Sequence, residues 1–157
     1  MKEDKGDRSI VIETISRLML PFIQLFSMYV IIHATCGPGG GFQGGVVFGS
    51  SVILYIITFS LTDGRKRFPE LVNIVLNSCG LYIYLGIGLL SILFSAGAAQ
   101  YLNYGFIPFT GHFEENRALG IELVEIGIGL IVMATVASIF FNLVHKAEPR
   151  NGGEETD

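Results

Sequence analysis

Formal charge is missing from three long stretches of this chain. No Asp, Glu, Lys or Arg occurs between Arg17 and Asp63, between Glu70 and Glu114, or between Glu125 and Lys146. A surface helix of a soluble domain returns a polar face every turn, and these stretches do not. A helix crossing a bilayer takes about 20 predominantly apolar residues at about 1.5 Å of rise each. The pattern predicts four: from Ile10 or Thr14 to His33, from Phe42 to Leu61, from Leu71 to Ser95 or Ala96, and from Leu119 to Val144. Strands of an outer-membrane barrel would show as short alternating segments, and the runs here are long and continuous. The expected fold is all-α, a polytopic membrane protein with four transmembrane helices forming one domain over residues 10–145. A polar arm (1–9) precedes it and a small, polar, disordered tail (146–157) follows.

Composition agrees with this and narrows the function. Half of the 157 residues are hydrophobic and 15% are charged, against roughly 25% in soluble domains. A water-soluble catalytic domain is excluded, and a net charge of −4 lacks the basic field that nucleic-acid binding needs. The placement of Lys and Arg sets the orientation. Lys2, Lys5, Arg8 and Arg17 flank the first helix on its N-terminal side. Arg65, Lys66 and Arg67 fill the loop between the second and third helices, and Lys146 and Arg150 follow the fourth. The loop over Ala34–Gly41 has none, and Gly97–Ala118 has only Arg117. Both termini are therefore expected to be cytoplasmic, in a multi-pass protein of the cell membrane. The N-terminus does not read as a cleaved signal: acids interleave its basic residues, and no A-x-A site follows the long apolar run.

Polar groups inside the apolar runs are the candidates for chemistry. Glu122 and Glu125 lie three apart on one face of the last helix. Counted from Leu119 they sit roughly 5–9 Å into it. A carboxylate facing lipid costs about 2.5–3.5 kcal/mol, so these acids are expected to face protein or a hydrated cavity, where they bind protons or cations. The alternative is interfacial: both lie near the N-terminus of their helix and its dipole favours them. Glu13 and Arg17 form an i, i+4 pair at the entry of the first helix, read as an interfacial ion pair that sets helix depth. His33 and His112, both on the outer side, are candidates for a proton path, and His145 suits the C-terminal dipole.

Glycines are the other signal. Gly41, Gly45 and Gly49 are spaced as overlapping G-x-x-x-G, and Gly120, Gly127 and Ala134 recur every seven residues. Such stripes mark close helix approach in lipid, either within the bundle or onto neighbouring subunits. Gly39-Gly-Gly-Phe-Gln-Gly44 satisfies the letters of a dinucleotide fingerprint, but it follows a membrane helix rather than a strand. It reads instead as a tight outer turn, stiffened by Pro38, in which glycine permits positive φ. Cys36 and Cys79 fall too far apart to pair. No cluster suggests zinc or iron–sulfur ligation, so no metal and no cofactor are expected.

The stretch from Arg17 through Pro21-Phe22, then Pro38, Gly39, Gly40, Gly41, Phe42, Gln43, Gly44 and Gly45 entering the second helix, resembles the B-type subunit of the Mrp-type multisubunit Na+/H+ antiporters. Glu125-Ile126-Gly127 early in the last helix strengthens the likeness, which covers most of Ile10–Val144. His33 precedes Pro38 by more positions than the family's histidine does, so no family role is carried to it. Related subunits occur in the membrane arms of energy-converting hydrogenases and sulfur-reducing complexes. The resemblance implies a non-catalytic subunit that packs among other membrane subunits and contributes to assembly and to Na+ and H+ translocation, with Glu125 as a proton- or Na+-linked carboxylate. Three other readings stand beside it: a purely structural scaffold, a membrane-arm subunit of a redox enzyme whose soluble partners carry the electrons, and a homo-oligomeric channel. The last is disfavoured, because few polar positions are available to line a pore.

Overall fold

The computed structural model describes residues 10–35, 37–95 and 100–147. In chain order they form α1 (Ile10–Ile32), α2 (Gly41–Phe59), α3 (Leu61–Arg67), α4 (Glu70–Phe94), a single 3-10 turn (Tyr104–Phe106) and α5 (Phe113–Ala147). Of these, α1, α2, α4 and α5 are each long and apolar enough to cross a bilayer. The protein is a multi-pass membrane protein of all-α fold. The expected arm at 1–9, the tail beyond 147 and Cys36 lie outside the described residues.

Two boundaries differ from the sequence pattern for identifiable reasons. Helix α2 stops at Phe59 because Ser60 adopts φ 139° and ψ 163°, a region costly for any residue with a side chain. The Ser60 hydroxyl accepts the Asp63 N–H at 3.4 Å and so caps α3, a helix the apolar pattern did not predict. Helix α3 folds back with Gly64 against Ile56. Helix α5 begins at Phe113, well before Leu119. Its first turn carries Glu114 and Glu115, which the helix dipole favours. The Asn116 side chain accepts both the Thr110 N–H (2.6 Å) and the Thr110 hydroxyl (2.8 Å), tying the incoming chain down. An apolar run cannot report a polar start.

The helices do not close into a bundle. Helix α5 is central, with α2 along one side and α4 along the other. Helix α1 packs on α2 and touches α5 lightly, and α1 and α4 stand apart at the two ends of the row. The close contacts are glycine contacts. A Cβ on Gly45 would lie 2.8 Å from the Gly129 carbonyl oxygen, and one on Gly49 2.8 Å from Val136. Across the other side of α5, a Cβ on Gly80 would lie 2.6 Å from the Gly127 carbonyl oxygen. Gly44 meets Ser27 and Ile31 of α1, and Gly120 meets Tyr104. Both stripes are thus consumed within the chain, Ala134 included, which is fully buried. Gly86 has nothing within 4 Å. An open row one helix thick leaves large apolar side chains exposed at both ends, among them Leu25 (65%) on α1 and Tyr82 (77%) on α4.

The segment between α4 and α5 folds over their ends. Ser91 accepts the Leu102 N–H at 2.8 Å. Tyr104 and Ile107 are buried against Ile87 and Val124.

Candidate functional site

The two strongest sequence signals, the intramembrane acids and the glycine loop, meet at one place. Residues Gly37 to Gly40 bring the chain from α1 into α2, with Gly40 extended at φ −162° as the cap residue. Its side chain is a hydrogen atom, so α2 starts without a side-chain cap from its own segment. The cap comes from α5 instead. The Gly41 N–H donates to Glu125 Oε2, setting a carboxylate against the first amide of α2, where the helix dipole is positive. One turn earlier on the same face of α5, Glu122 Oε1 accepts the Thr35 hydroxyl at 3.0 Å. The pair therefore clasps the loop at both ends, Thr35 through Glu122 and Gly41 through Glu125. Both acids are half-buried.

This geometry corrects two expectations. Because α5 starts at Phe113, Glu122 and Glu125 lie roughly 14 and 18 Å from its beginning, in its third and fourth turns. The dipole of their own helix fades within its first turn, so it is not what holds them. The favourable helix end belongs to α2. Among the described residues, no glycine of the loop has a φ in the left-handed region between +20° and +160°. These glycines are needed for closeness. A Cβ on Gly40 would lie 2.8 Å from Glu125 Oε2, and one on Gly41 would strike the Glu125 carbonyl oxygen. A Cβ on Gly39 would lie 2.6 Å from Val30. Pro38 and Phe42 are exposed, Phe42 at 63%, so the phenyl ring turns away from the clasp.

The remaining candidates lie elsewhere. Arg17 bonds Glu13 at 2.7 Å near the start of α1, with its guanidinium 5.2 Å from the centre of the Phe59 ring. His33 stacks on Tyr29 and its Nδ1 lies 3.1 Å from the Tyr29 carbonyl oxygen. His112 engages Thr110 and Asn116 through its backbone. The side chain of His145 is outside the described residues, whereas Cys79 is exposed on α4. Among the described residues, no three His, Cys, Asp or Glu side chains group to hold a metal ion.

Sequence reasoning passed over two contributors. Thr35 was a loop hydroxyl with no pattern around it, though its position at the mouth of a glycine loop was a usable signal. Tyr104 lies in the segment covering α4 and α5, and burial first, then the charges of Tyr84, Tyr101 and Glu125, push its hydroxyl above the ordinary tyrosine range. Tyr101 is pushed up as well, first by its hydrogen bond with Tyr84.

The family model described as a domain related to the MnhB subunit of Na+/H+ antiporter matches residues 11–138, which include α1, α2, α4, the clasp and most of α5. The chain belongs to this family. Among the family's curated members, it is 31% identical over 142 residues to the B-type Na(+)/H(+) antiporter subunit of Alkalihalophilus pseudofirmus, covering 87% of this chain and 97% of that one. The subunit of the same name in Bacillus subtilis is 30% identical over the same shares. A putative antiporter subunit mnhB2 of Staphylococcus aureus is 24% identical over 137 residues. The match runs nearly end to end in these relatives.

Proposed function

We propose that this protein is a non-catalytic subunit of an Mrp-type Na+/H+ antiporter module in the cytoplasmic membrane, and that it contributes both to assembly and to Na+ and H+ movement. Its termini and the segment Arg65–Arg67 face the cytoplasm, as the distribution of Lys and Arg requires. Three features support the subunit reading. Its named relatives are antiporter subunits, an open row of helices leaves both faces to be covered, and Gly86 offers a close-approach position that no described residue uses.

The observation that carries the ion-linked role is the half-buried Glu125 carboxylate, held at the start of α2 and followed in α5 by no further charge until Lys146. A proton or cation arriving there competes directly with the cap on α2, so occupancy of Glu125 is coupled to the glycine loop. The same hydrogen bonds favour a second reading, in which the acids are structural clasps only. Two variants separate these readings. Glu125→Gln retains an oxygen that accepts the Gly41 N–H but has no charge, and Glu125→Ala loses both. In the assembled complex, Glu125→Gln is expected to lower Na+-dependent antiport in inverted vesicles while the subunits still co-purify. Normal transport by Glu125→Gln together with failed assembly of Glu125→Ala would leave the clasp alone.

A further inference from the structure

A cavity of ≈ 550 Å³ opens between α1, α2 and α3, lined by no residue of α5 or of the Glu125 clasp. Its two ends differ in chemistry. One end is lined by Arg17, whose guanidinium lies 5.2 Å from the centre of the Phe59 ring, and by Arg67. From there it runs past Leu20 to Gln24 on α1, and past Val52 to Phe48 on α2. At 1.5 Å per residue that is roughly 10 Å along α1 and roughly 16 Å along α2.

The chain itself explains why the space is open. Pro21 lies inside α1, where it supplies no N–H to the Arg17 carbonyl and its compact ring replaces a longer side chain. Gly64 lines the cavity without a side chain to fill it, and its Cα packs against Ile56. Helices α1 and α2 are held together beyond this stretch by the Thr58 hydroxyl bonding Ser16 at 3.2 Å and by Gly44 against Ile31.

We infer that this cavity is a binding site for one anionic phospholipid, with the phosphate at Arg17 and Arg67 and an acyl chain along Leu20, Val52 and Phe48. Charge complementarity selects the occupant. Of the two arginines, Arg17 pairs with Glu13, and among the described residues Arg67 has no carboxylate partner. Arginine suits a phosphate because its planar fork binds two oxygens at once. The mostly apolar walls have no use for a free phosphate but match a hydrocarbon chain at the depth where membrane lipid is the solvent. A basic recess between membrane helices is a recurrent headgroup site. The site is independent of which ion the complex moves.

Native mass spectrometry of the full-length protein tests this, after detergent washing and re-addition of phosphatidylglycerol or phosphatidylcholine in equal amounts. Phosphatidylglycerol should be retained over phosphatidylcholine. Arg67→Gln should lower its retention about fivefold, the factor expected for one cation at a lipid surface. Gln24→Trp, which fills the deep end and leaves the rim intact, should lower retention of the same lipid. Arg65→Gln is the control: Arg65 is on the same short helix but lies 6.0 Å from the Phe141 ring, on the other side, and should leave retention unchanged. Equal losses from Arg65→Gln and Arg67→Gln would reduce the effect to general surface charge and overturn the site. Displacement of the lipid by excess inorganic phosphate, or full retention in Gln24→Trp, would overturn the acyl-chain part.

Discussion

Replacing Gly41 by alanine puts a methyl group where α5 already stands. A Cβ built there lies 2.8 Å from the Glu125 carbonyl carbon and 2.9 Å from Oε2, and meets the carbonyl oxygen more closely still. A side-chain tip could turn aside, but a backbone carbonyl in the middle of a helix cannot. Helix α2 must shift off α5, and the bond from the Gly41 N–H to Glu125 goes with it. Overpacking a filled site costs about 1–3 kcal/mol, and a hydrogen bond to a charged group is worth about 1.5–3 kcal/mol. Alanine returns at most about 0.5–1 kcal/mol through the backbone. The net loss is about 2–5 kcal/mol, or a fall of about 10 °C at roughly 2–4 °C per kcal/mol for a chain of this size. The assay is the apparent Tm of the detergent-solubilised protein, read as loss of the monodisperse size-exclusion peak on heating. Gly86→Ala is the matched control, since nothing lies within 4 Å of a Cβ there. It should leave Tm unchanged or raise it slightly. A Gly41→Ala protein as stable as wild type would refute the close-approach reasoning for the loop.

Gly80→Ala should loosen the other side of α5. Its Cβ would lie 2.6 Å from the Gly127 carbonyl oxygen, and the expected loss is about 1–3 kcal/mol, read as a lower Tm in the same assay. For Tyr104, whose hydroxyl is pushed above the ordinary value of 10.0, the folded segment holds its proton longer than the detached one. Its contribution to packing over α4 and α5 is complete below pH 10 and is lost as pH rises through the folded value. Ultraviolet titration should show late-ionising tyrosines, with one fewer in Tyr104→Phe, where Tyr101 remains. Affinity purification of the tagged protein in mild detergent should recover antiporter-type membrane subunits. Recovery of iron–sulfur subunits would instead make it part of a redox-driven pump, and recovery of the chain alone would refute the subunit reading.

The number and type of the membrane helices were legible in the sequence because burial in lipid demands it locally. Each span must satisfy its own backbone hydrogen bonds and present apolar side chains over its full length, so the three charge-free stretches sufficed. That the glycine loop and Glu125 needed a structural partner was legible too, since glycine and carboxylate are both costly in an apolar helix. What the one-dimensional pattern does not contain is who meets whom. Whether Gly41, Gly45 and Gly49 faced a neighbour in this chain or in another one depended on the approach of α5, as did the joining of Glu125 to Gly41. Helix α3 and the first turns of α5 were missed because the Ser60 cap and the Asn116 hydrogen bonds to Thr110 mark them, not hydrophobic periodicity. The open row was likewise beyond reach: in lipid, an exposed apolar face and a buried one are written with the same residues. Lipid erases the contrast between inside and outside that a soluble sequence records, so only the tertiary contacts decided which faces the chain uses itself and which it leaves for others.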